Sequence, residues 1–246
     1  MATRVNDWDR RPAMRPFGTP AYRVIVDRRR PLDKEDLLRV VVQPTAAPGI
    51  LGFFAWALAA FVVGAQWADW YGAEGQFVSA YAPLVAGLAQ LIAAAWAHRA
   101  ADGLATAFHG IWGTSWLGYG LMYVFIYAGV HRNPEGEFAG LGVWLIALAV
   151  LSAVVAVAAI ADNLALVVTA AAAAVAALIL GLAVIQGSET FGSLAGWILP
   201  VAAIVAAYYA SALLLEDAFG RPVLPLFHKP AEAVEQRVPE PGAETR

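Results

Sequence analysis

Between Arg39 and Asp69 the chain has no charged residue, and five further uncharged, apolar stretches of similar length follow. An α-helix needs about 20 residues to cross roughly 30 Å of hydrocarbon, so each stretch is long enough to span a bilayer. Soluble domains carry about 25% charged residues, whereas this chain carries 14%, with 60% hydrophobic residues. The sequence therefore predicts an all-α integral membrane protein with six transmembrane helices.

Charged and turn-forming residues divide the chain into the predicted spans. These are Gly49–Gln66, Phe77–Ala97, Gly103–Val130, Phe138–Ile160, Asn163–Val184 and Thr190–Leu215. The Glu216-Asp217 pair is predicted to stop the last span. Short connections make sequential helices antiparallel neighbours. The fifth span is so rich in alanine that we expect it to pack against protein on most sides.

The basic residues predict the orientation, because cytoplasmic segments carry an excess of Lys and Arg. If both termini are cytoplasmic, the inner segments hold fifteen of the sixteen Lys and Arg residues. Only Arg132 then falls on the outer side. We therefore predict that both termini are cytoplasmic and that the protein lies in the inner membrane of a bacterium.

The spans also divide the chain into three parts. Residues 1–44 form a basic cytoplasmic segment, residues 45–220 the six-helix transmembrane domain, and residues 221–246 a cytoplasmic tail. The Pro- and Glu-rich composition of the tail predicts that it is largely disordered. Residues 28–30, all Arg, precede an amphipathic stretch at 32–42. That stretch is either a short interfacial helix beside anionic headgroups or, as we favour, a solvated tail whose charge sets the topology.

Several classes of function are disfavoured by composition. The chain has no cysteine, which excludes disulfides, Cys-ligated metals and thiolate chemistry. The spans contain no metal-spaced cluster of His, Asp and Glu, no nucleophile elbow and no phosphate loop. We therefore expect no catalytic residues, metal, cofactor or nucleic-acid partner, and no enzymatic activity.

Short motifs in the second, third and sixth predicted spans occur in the same order in one known family. They are Ala-Gln-Leu-Ile-Ala-Ala at 89–94, Asp-Gly-Leu at 102–104, Trp-Gly-Thr-Ser-Trp at 112–116, Gly-Trp at 196–197, Ala-Tyr at 207–208 and Phe-Gly-Arg-Pro-Val-Leu-Pro at 219–225. In order and near spacing these motifs resemble the acetate uptake transporter family (GPR1/FUN34/YaaH). The resemblance extends from about Pro44 to Pro225, although the middle helices match only in hydropathy.

The resemblance implies both a fold and an activity. Members of that family form six-helix protomers arranged in ring-shaped hexamers, and each protomer has its own pore. They move acetate and related small carboxylates, either as channels or coupled to protons (symport). The expected partners are therefore an acetate-like anion, the lipid bilayer and further copies of the same chain.

Some polar residues of the family pattern are absent from this chain. The first-span signature Asn-Pro-Ala-Pro-Leu-Gly-Leu aligns with residues 44–50, where the Asn is missing. Two family glutamates fall on Ala97 and Leu213. Because packing residues remain where polar ones are lost, the alternative function is a non-transporting scaffold or accessory subunit of a larger membrane complex.

Two polar side chains within the spans are the first candidate site residues. Gln90 either donates hydrogen bonds to a carboxylate from the pore wall or bonds to a neighbouring helix, an interaction of about 0.6–2 kcal/mol. His109, whose unperturbed pKa is about 6.5, is either a proton relay or, more simply, a neutral imidazole bonded to another helix.

Aromatic residues and the start of the first span supply the remaining candidates. Four residues, Trp112, Trp116, Tyr208 and Tyr209, either form a constriction that gates the pore by dewetting or belong to helix packing or an interfacial aromatic belt. Of these, Tyr208 matches the Tyr of the family. The N-terminus of the first span at Pro48 and Gly49 has exposed N–H groups and a positive dipole end, which attract anions. A carboxylate site there, facing Gln90 and Tyr208, competes with plain helix initiation, which we favour slightly.

Overall fold

The structure is a computed structural model and describes residues 46–72, 76–130 and 139–226. These residues form α1 (Pro48–Trp67), α2 (Gln76–Arg99), α3 (Gly103–Tyr127), α4 (Ala139–Ala159), α5 (Leu164–Gln186) and α6 (Glu189–Phe219). The helices match the six predicted spans closely. The predicted N-terminal segment 1–44 and residues 227–246 of the predicted tail lie outside the described residues.

The helices confirm the prediction of an all-α integral membrane protein. Within the described residues, α1, α2, α4, α5 and α6 meet the length and hydropathy requirements of a membrane span. The remaining helix, α3, is 25 residues long and carries no charge, but its Trp, Tyr, Gly and His residues lower its hydropathy. The helix that departs from a plain lipid-facing composition is therefore the one richest in candidate site residues.

The order of the helices around the bundle is α3, α2, α1, α6, α5, α4. The most extensive contacts are those of α2 with α3, α4 with α5, and α1 with α6. By contrast, α3 and α4 touch at few points although they follow each other in the chain. We call this sparse contact the α3–α4 seam.

Glycines set the close approach of paired helices. A Cβ built on Gly87 of α2 would lie 2.7 Å from the carbonyl oxygen of Gly113 on α3. A Cβ on Gly142 of α4 would lie equally close, 2.7 Å, to the carbonyl oxygen of Gly181 on α5. Small residues are the usual means of bringing helices together in a membrane, where no hydrophobic force acts between them. Both crossings therefore depend on the absence of a side chain.

Within one protomer the most enclosed helix is α1, whereas α5 is only half buried. α5 packs against α4 and α6 and leaves one apolar face uncovered. The exposed residues on that face are Leu164, Val168, Val175, Leu178 and Ile185. The alanine-rich sequence of α5 is therefore enclosed on two sides only.

The end of α6 differs from the prediction. Glu216 and Asp217 do not stop the helix, which continues to Phe219 and ends at Gly220 with φ 65°. Charged side chains exclude a segment from hydrocarbon but do not break its backbone hydrogen bonds, whereas a left-handed glycine ends a helix without strain. Past this end, Leu226 folds back and is buried against the bundle.

Asn163 caps the start of α5 and also reaches α6. Its Oδ1 accepts a hydrogen bond from the Leu166 amide at 2.9 Å, and its Nδ2 donates to the Tyr209 hydroxyl at 3.5 Å. The side chain is 3% exposed. A single residue therefore fixes both the first turn of α5 and its contact with α6.

Asn163→Ala is expected to lower the free energy of unfolding by about 1–2 kcal/mol, since a lost N-cap costs roughly that much and the buried Tyr209 hydroxyl loses its donor. The matched control is Asp102→Ala, which removes a cap of the same 2.9 Å length from α3 at an exposed site. Thermal unfolding of both variants in detergent measures the difference. Equal losses in the two variants would contradict the role assigned to the buried bond with Tyr209.

Candidate pore and substrate site

One face of α3 carries a continuous row of aromatic rings. The spacing of three or four residues places Phe108, Trp112, Trp116, Tyr119 and Tyr123 on the same side of the helix. Ring centroids are 5.2 Å apart for Trp112 and Trp116, 6.1 Å for Trp116 and Tyr119, and 4.8 Å for Tyr119 and Tyr123. We call these five residues the aromatic column.

Rings from α1 and α6 close the column near the start of α3, which is the predicted cytoplasmic half. The Phe53 centroid lies 5.0 Å from that of Phe108, 4.5 Å from that of His109 and 4.8 Å from that of Tyr209. Trp56 packs edge-on to Trp112 of the column, with centroids 5.4 Å apart. We call Phe53, Trp56, Phe108, His109 and Tyr209 the ring cluster. No side chain in this cluster is more than 7% exposed, so the five rings are enclosed by the bundle.

His109 occupies a position that only a glycine on α1 permits. A Cβ built on Gly52 would overlap the imidazole ring. The His109 side chain is 0% exposed, and neither ring nitrogen has a hydrogen-bond partner within the part of the chain that the structure describes. The simpler alternative from the sequence was a neutral imidazole hydrogen-bonded to another helix. No described residue supplies that hydrogen bond.

Gln90 of α2 is equally buried, at 0% exposure. It faces α3 at Gly113, where an added Cβ would lie 3.0 Å from the Gln90 Cβ. That position is one helical turn along α3 from His109. Neither amide atom of Gln90 has a hydrogen-bond partner among residues 46–72, 76–130 and 139–226. The interhelical hydrogen bond expected as one alternative is thus not formed by the described residues.

The two tryptophans of the predicted site differ in how their indole N–H groups are used. Trp112 Nε1 donates to the Ser152 Oγ of α4 at 3.0 Å, and that hydroxyl donates in turn to the Leu148 carbonyl at 2.8 Å. Trp116 Nε1 has no acceptor in the described chain, and the same holds for Trp56 Nε1. An indole nitrogen can only donate, so these are two buried donors that no described residue satisfies.

An apolar cavity of about 270 Å³ lies at the α3–α4 seam, beside the aromatic column. Its walls include Trp116, Tyr119, Leu145, Leu148, Ala177 and Leu180. A second, more polar cavity of about 550 Å³ lies at the opposite end of the bundle from the start of α3 and is lined by Trp67, Tyr123, Gln186 and Glu189. Leu141 lines both cavities. The two cavities therefore share one wall residue, and Trp112 in the wall of the first packs against Trp56 of the ring cluster.

The other predicted site residues, at the start of α1 and on α6, line neither cavity. Pro48 and Gly49 begin α1, and a Cβ on Gly49 would lie 3.1 Å from Leu213 Cδ1. The Tyr208 hydroxyl donates to the Pro225 carbonyl at 2.7 Å, while its neighbour Tyr209 enters the ring cluster. The structure thus places Gln90 against α3, the helix that carries His109, Trp112 and Trp116. Tyr208 instead contacts Pro225, and the roles predicted for all of these residues stay predictions.

Sequence reasoning missed Phe53, Trp56 and Phe108, which form most of the ring cluster. Their signal in the sequence is weak, because aromatic residues also occur throughout the lipid-facing surfaces of this chain. Phe53 and Trp56 do lie three residues apart, which places them on one face of α1. Pairing that face with α3 requires knowledge of which helices are neighbours.

A profile of the GPR1/FUN34/yaaH family matches residues 32–228. The chain belongs to this family. No curated protein sequence matches it. The solved structure of the bacterial acetate channel SatP is similar to this GPR1/FUN34/yaaH protein, with a TM-score of 0.68 and 21% identity over 74% of this chain and 99% of that one. At that identity the likeness confirms the six-helix fold of this family member.

Proposed function

We propose that this GPR1/FUN34/yaaH-family protein is a channel or transporter for acetate and similar small carboxylates, with one path through each protomer. The observation that carries the proposal is a set of buried N–H groups on α1, α2 and α3 that have no acceptor among the described residues. They belong to Gln90, His109, Trp56 and Trp116. Leaving a buried donor unpaired costs about 1–3 kcal/mol, so such groups call for a missing partner. The oxygens of a carboxyl group supply acceptors of the required kind.

The proposed path runs from the larger cavity through the apolar cavity to the ring cluster. In the described conformation the rings of Phe53, Phe108 and Tyr209 pack against one another in the predicted cytoplasmic half. An apolar constriction excludes water and ions until the side chains move apart. His109 lies within this cluster, which supports its proposed role in linking passage to a proton. The ring cluster is thus the proposed gate.

The orientation and assembly belong to the same proposal. Both termini are placed in the cytoplasm on the basis of the distribution of Lys and Arg. The family resemblance supports a homo-oligomer, specifically a hexamer, and the exposed apolar face of α5 supplies a surface for subunit contacts. The acetate-like substrate is supported by the similarity in fold to the acetate channel SatP.

Uptake of labelled acetate into proteoliposomes tests the proposal. We expect uptake well above that of empty vesicles across pH 5–8, with the clearest difference near pH 7.5, where little neutral acid is present to cross the lipid unaided. An imposed pH gradient then separates anion passage from proton-linked passage. Proton-linked passage speeds the accumulation of acetate in the alkaline compartment beyond the rate in empty vesicles, where only neutral acid crosses the lipid, whereas passage of the anion alone dissipates that accumulation. Uptake equal to that of empty vesicles at every pH would overturn the proposed function.

The second candidate function is a non-transporting scaffold or accessory subunit. The filled ring cluster and the replacement of a family glutamate by Leu213 favour it. Purification of the native protein in mild detergent, followed by identification of co-purifying chains, distinguishes the two. A stoichiometric foreign subunit would favour the scaffold, and a homo-oligomer without foreign subunits would count against it.

A further inference from the structure

The segment that follows α6 turns back and packs against the bundle. Gly220, with φ 65°, reverses the chain at the end of the helix. Leu226 is only 4% exposed and belongs to the same apolar core as Tyr209 of the ring cluster. We call residues 220–226 the strap. The strap contains most of the family motif at 219–225, to which the proposed path gives no role.

A hydrogen bond ties the strap to α6 itself. The Tyr208 hydroxyl donates to the Pro225 carbonyl at 2.7 Å. Tyr208 lies about three helical turns before the end of α6 at Phe219. The strap therefore runs back alongside the last turns of α6, and residues 221–223 between its two ends are exposed.

The turn of α6 that is bonded to the strap also carries a ring of the proposed gate. Tyr209 directly follows Tyr208, and its ring centroid lies 4.8 Å from that of Phe53 on α1. Successive residues of a helix point about 100° apart, so the strap and the ring cluster contact this turn from different sides. Movement of the turn away from α1 would separate the Tyr209 and Phe53 rings.

Pro200 divides α6 into two parts. A proline has no N–H to donate to the carbonyl four residues earlier, here that of Gly196, so the helix bends most easily at this point. The first part is fixed against the end of α1, because a Cβ built on Gly196 would overlap the backbone of Ala68. The second part, residues 201–219, is held in place by its own contacts, and the strap provides some of them.

We propose that the strap is a latch that keeps the proposed gate closed. Tyr208 and Leu226 are positioning residues that hold Tyr209 against Phe53, and withdrawal of Leu226 from the core frees the end of α6 to move. This latch rests on the proposed function and adds a control to it. One buried leucine, the half-buried Leu224 and one hydrogen bond are together comparable to the free-energy difference between two conformations of a protein. The latch can therefore open as well as close.

Two variants release the strap at different points. Leu226→Ala removes most of the buried side chain, and Tyr208→Phe removes only the hydroxyl that bonds Pro225. A minor conformation is typically populated at about 0.1–10%, so a weakened latch leaves room for a large gain. We expect labelled acetate to enter proteoliposomes about three- to tenfold faster with Leu226→Ala and about twofold faster with Tyr208→Phe.

Val223→Ala is the matched control, because Val223 belongs to the same strap but is 40% exposed. This variant should take up acetate at the wild-type rate. A strap with a structural role alone predicts the opposite sign for Leu226→Ala, since a loosened bundle transports less. Uptake at or below the wild-type rate by Leu226→Ala protein that is folded by gel filtration would overturn the proposal.

Thiol accessibility gives a second readout that does not depend on transport. The chain has no cysteine, so a single introduced thiol reports on one position. Ala210 follows Tyr209 and is 0% exposed, so the thiol of Ala210→Cys should react slowly with a soluble maleimide while this turn is packed. In the full chain in lipid nanodiscs, we expect the reaction to become about threefold or more faster when Tyr208→Phe or Leu226→Ala is added. Adding Val223→Ala should leave it unchanged.

The outcomes separate the latch from the proposed function. Faster thiol reaction in the strap variants without acetate uptake by the wild type would support the latch and count against the proposed function. Acetate uptake by the wild type, with uptake and thiol reaction both unchanged in the strap variants, would overturn the latch and leave the proposed function intact.

Discussion

Gln90→Leu is expected to reduce acetate uptake by about tenfold, since that factor corresponds to roughly 1.4 kcal/mol and a lost hydrogen bond to a ligand costs a similar amount. The same change is expected to raise the melting temperature, because it removes two buried polar atoms that no described residue satisfies. The opposite signs of the two effects identify Gln90 as a residue kept for ligand binding at the expense of stability.

Uptake into proteoliposomes and thermal unfolding of the same preparation provide both readouts. Thr169→Val is the matched control: Thr169 is 0% exposed, but its hydroxyl is already bonded to the Ala165 carbonyl at 2.9 Å. This variant should lose a little stability and keep its uptake rate. A Gln90→Leu protein that is less stable than wild type and transports normally would show that the amide has a structural partner instead.

Gly196→Ala is expected to destabilise the bundle by about 1–3 kcal/mol, the usual cost of overpacking a core. A Cβ at this position on α6 would overlap the backbone of Trp67 and Ala68, where α1 ends. A flexible side chain can rotate away from a new methyl group, but a helix end moves only with its helix. The α1–α6 contact, one of the most extensive in the bundle, would therefore have to separate.

Gly140→Ala provides the comparison, because an added Cβ there meets nothing within 4 Å. Alanine is favoured over glycine in a helix by about 1 kcal/mol, so this variant should be as stable as wild type or slightly more stable. Melting temperatures in detergent measure both changes. Equal melting temperatures for the two variants would show that the α1–α6 approach is looser than described.

The spans were predictable from the sequence because charge is excluded from hydrocarbon. Arg39 and Asp69 bracket the first span, and His98 and Arg99 end the second, where the cost of burying charged groups fixes the boundary. The same physics does not apply to the end of α6. Glu216 and Asp217 need only leave the membrane, so the helix was free to continue to Gly220.

The rotation of each helix was not predictable in the same way. A helix that is apolar on every side lacks the polar face that distinguishes inside from outside in soluble proteins. Tyr208 and Tyr209 are adjacent, and only packing determines that Tyr209 meets Phe53 while Tyr208 meets Pro225. Family resemblance favoured Tyr208, but a motif position alone does not specify what its side chain touches.

Gln90 and His109 stood out in the sequence because polar residues are rare and costly inside a span. What the sequence could not supply was their surroundings. The glycines opposite them, Gly52 on α1 and Gly113 on α3, give little signal among the 22 glycines of the chain. Only the helix pairing shows that these two glycines accommodate the buried polar side chains.

The α3–α4 seam makes the width of the apolar cavity depend on what surrounds the protomer. Few contacts join these two helices, whereas each is packed extensively against its other neighbour, α2 or α5. Lateral pressure from the bilayer would therefore act most strongly where neighbouring helices share the fewest contacts. A thicker or more tightly ordered membrane would press the seam shut, and a loosely packed one would let it widen. We therefore expect the width of this cavity to change with the lipid mixture.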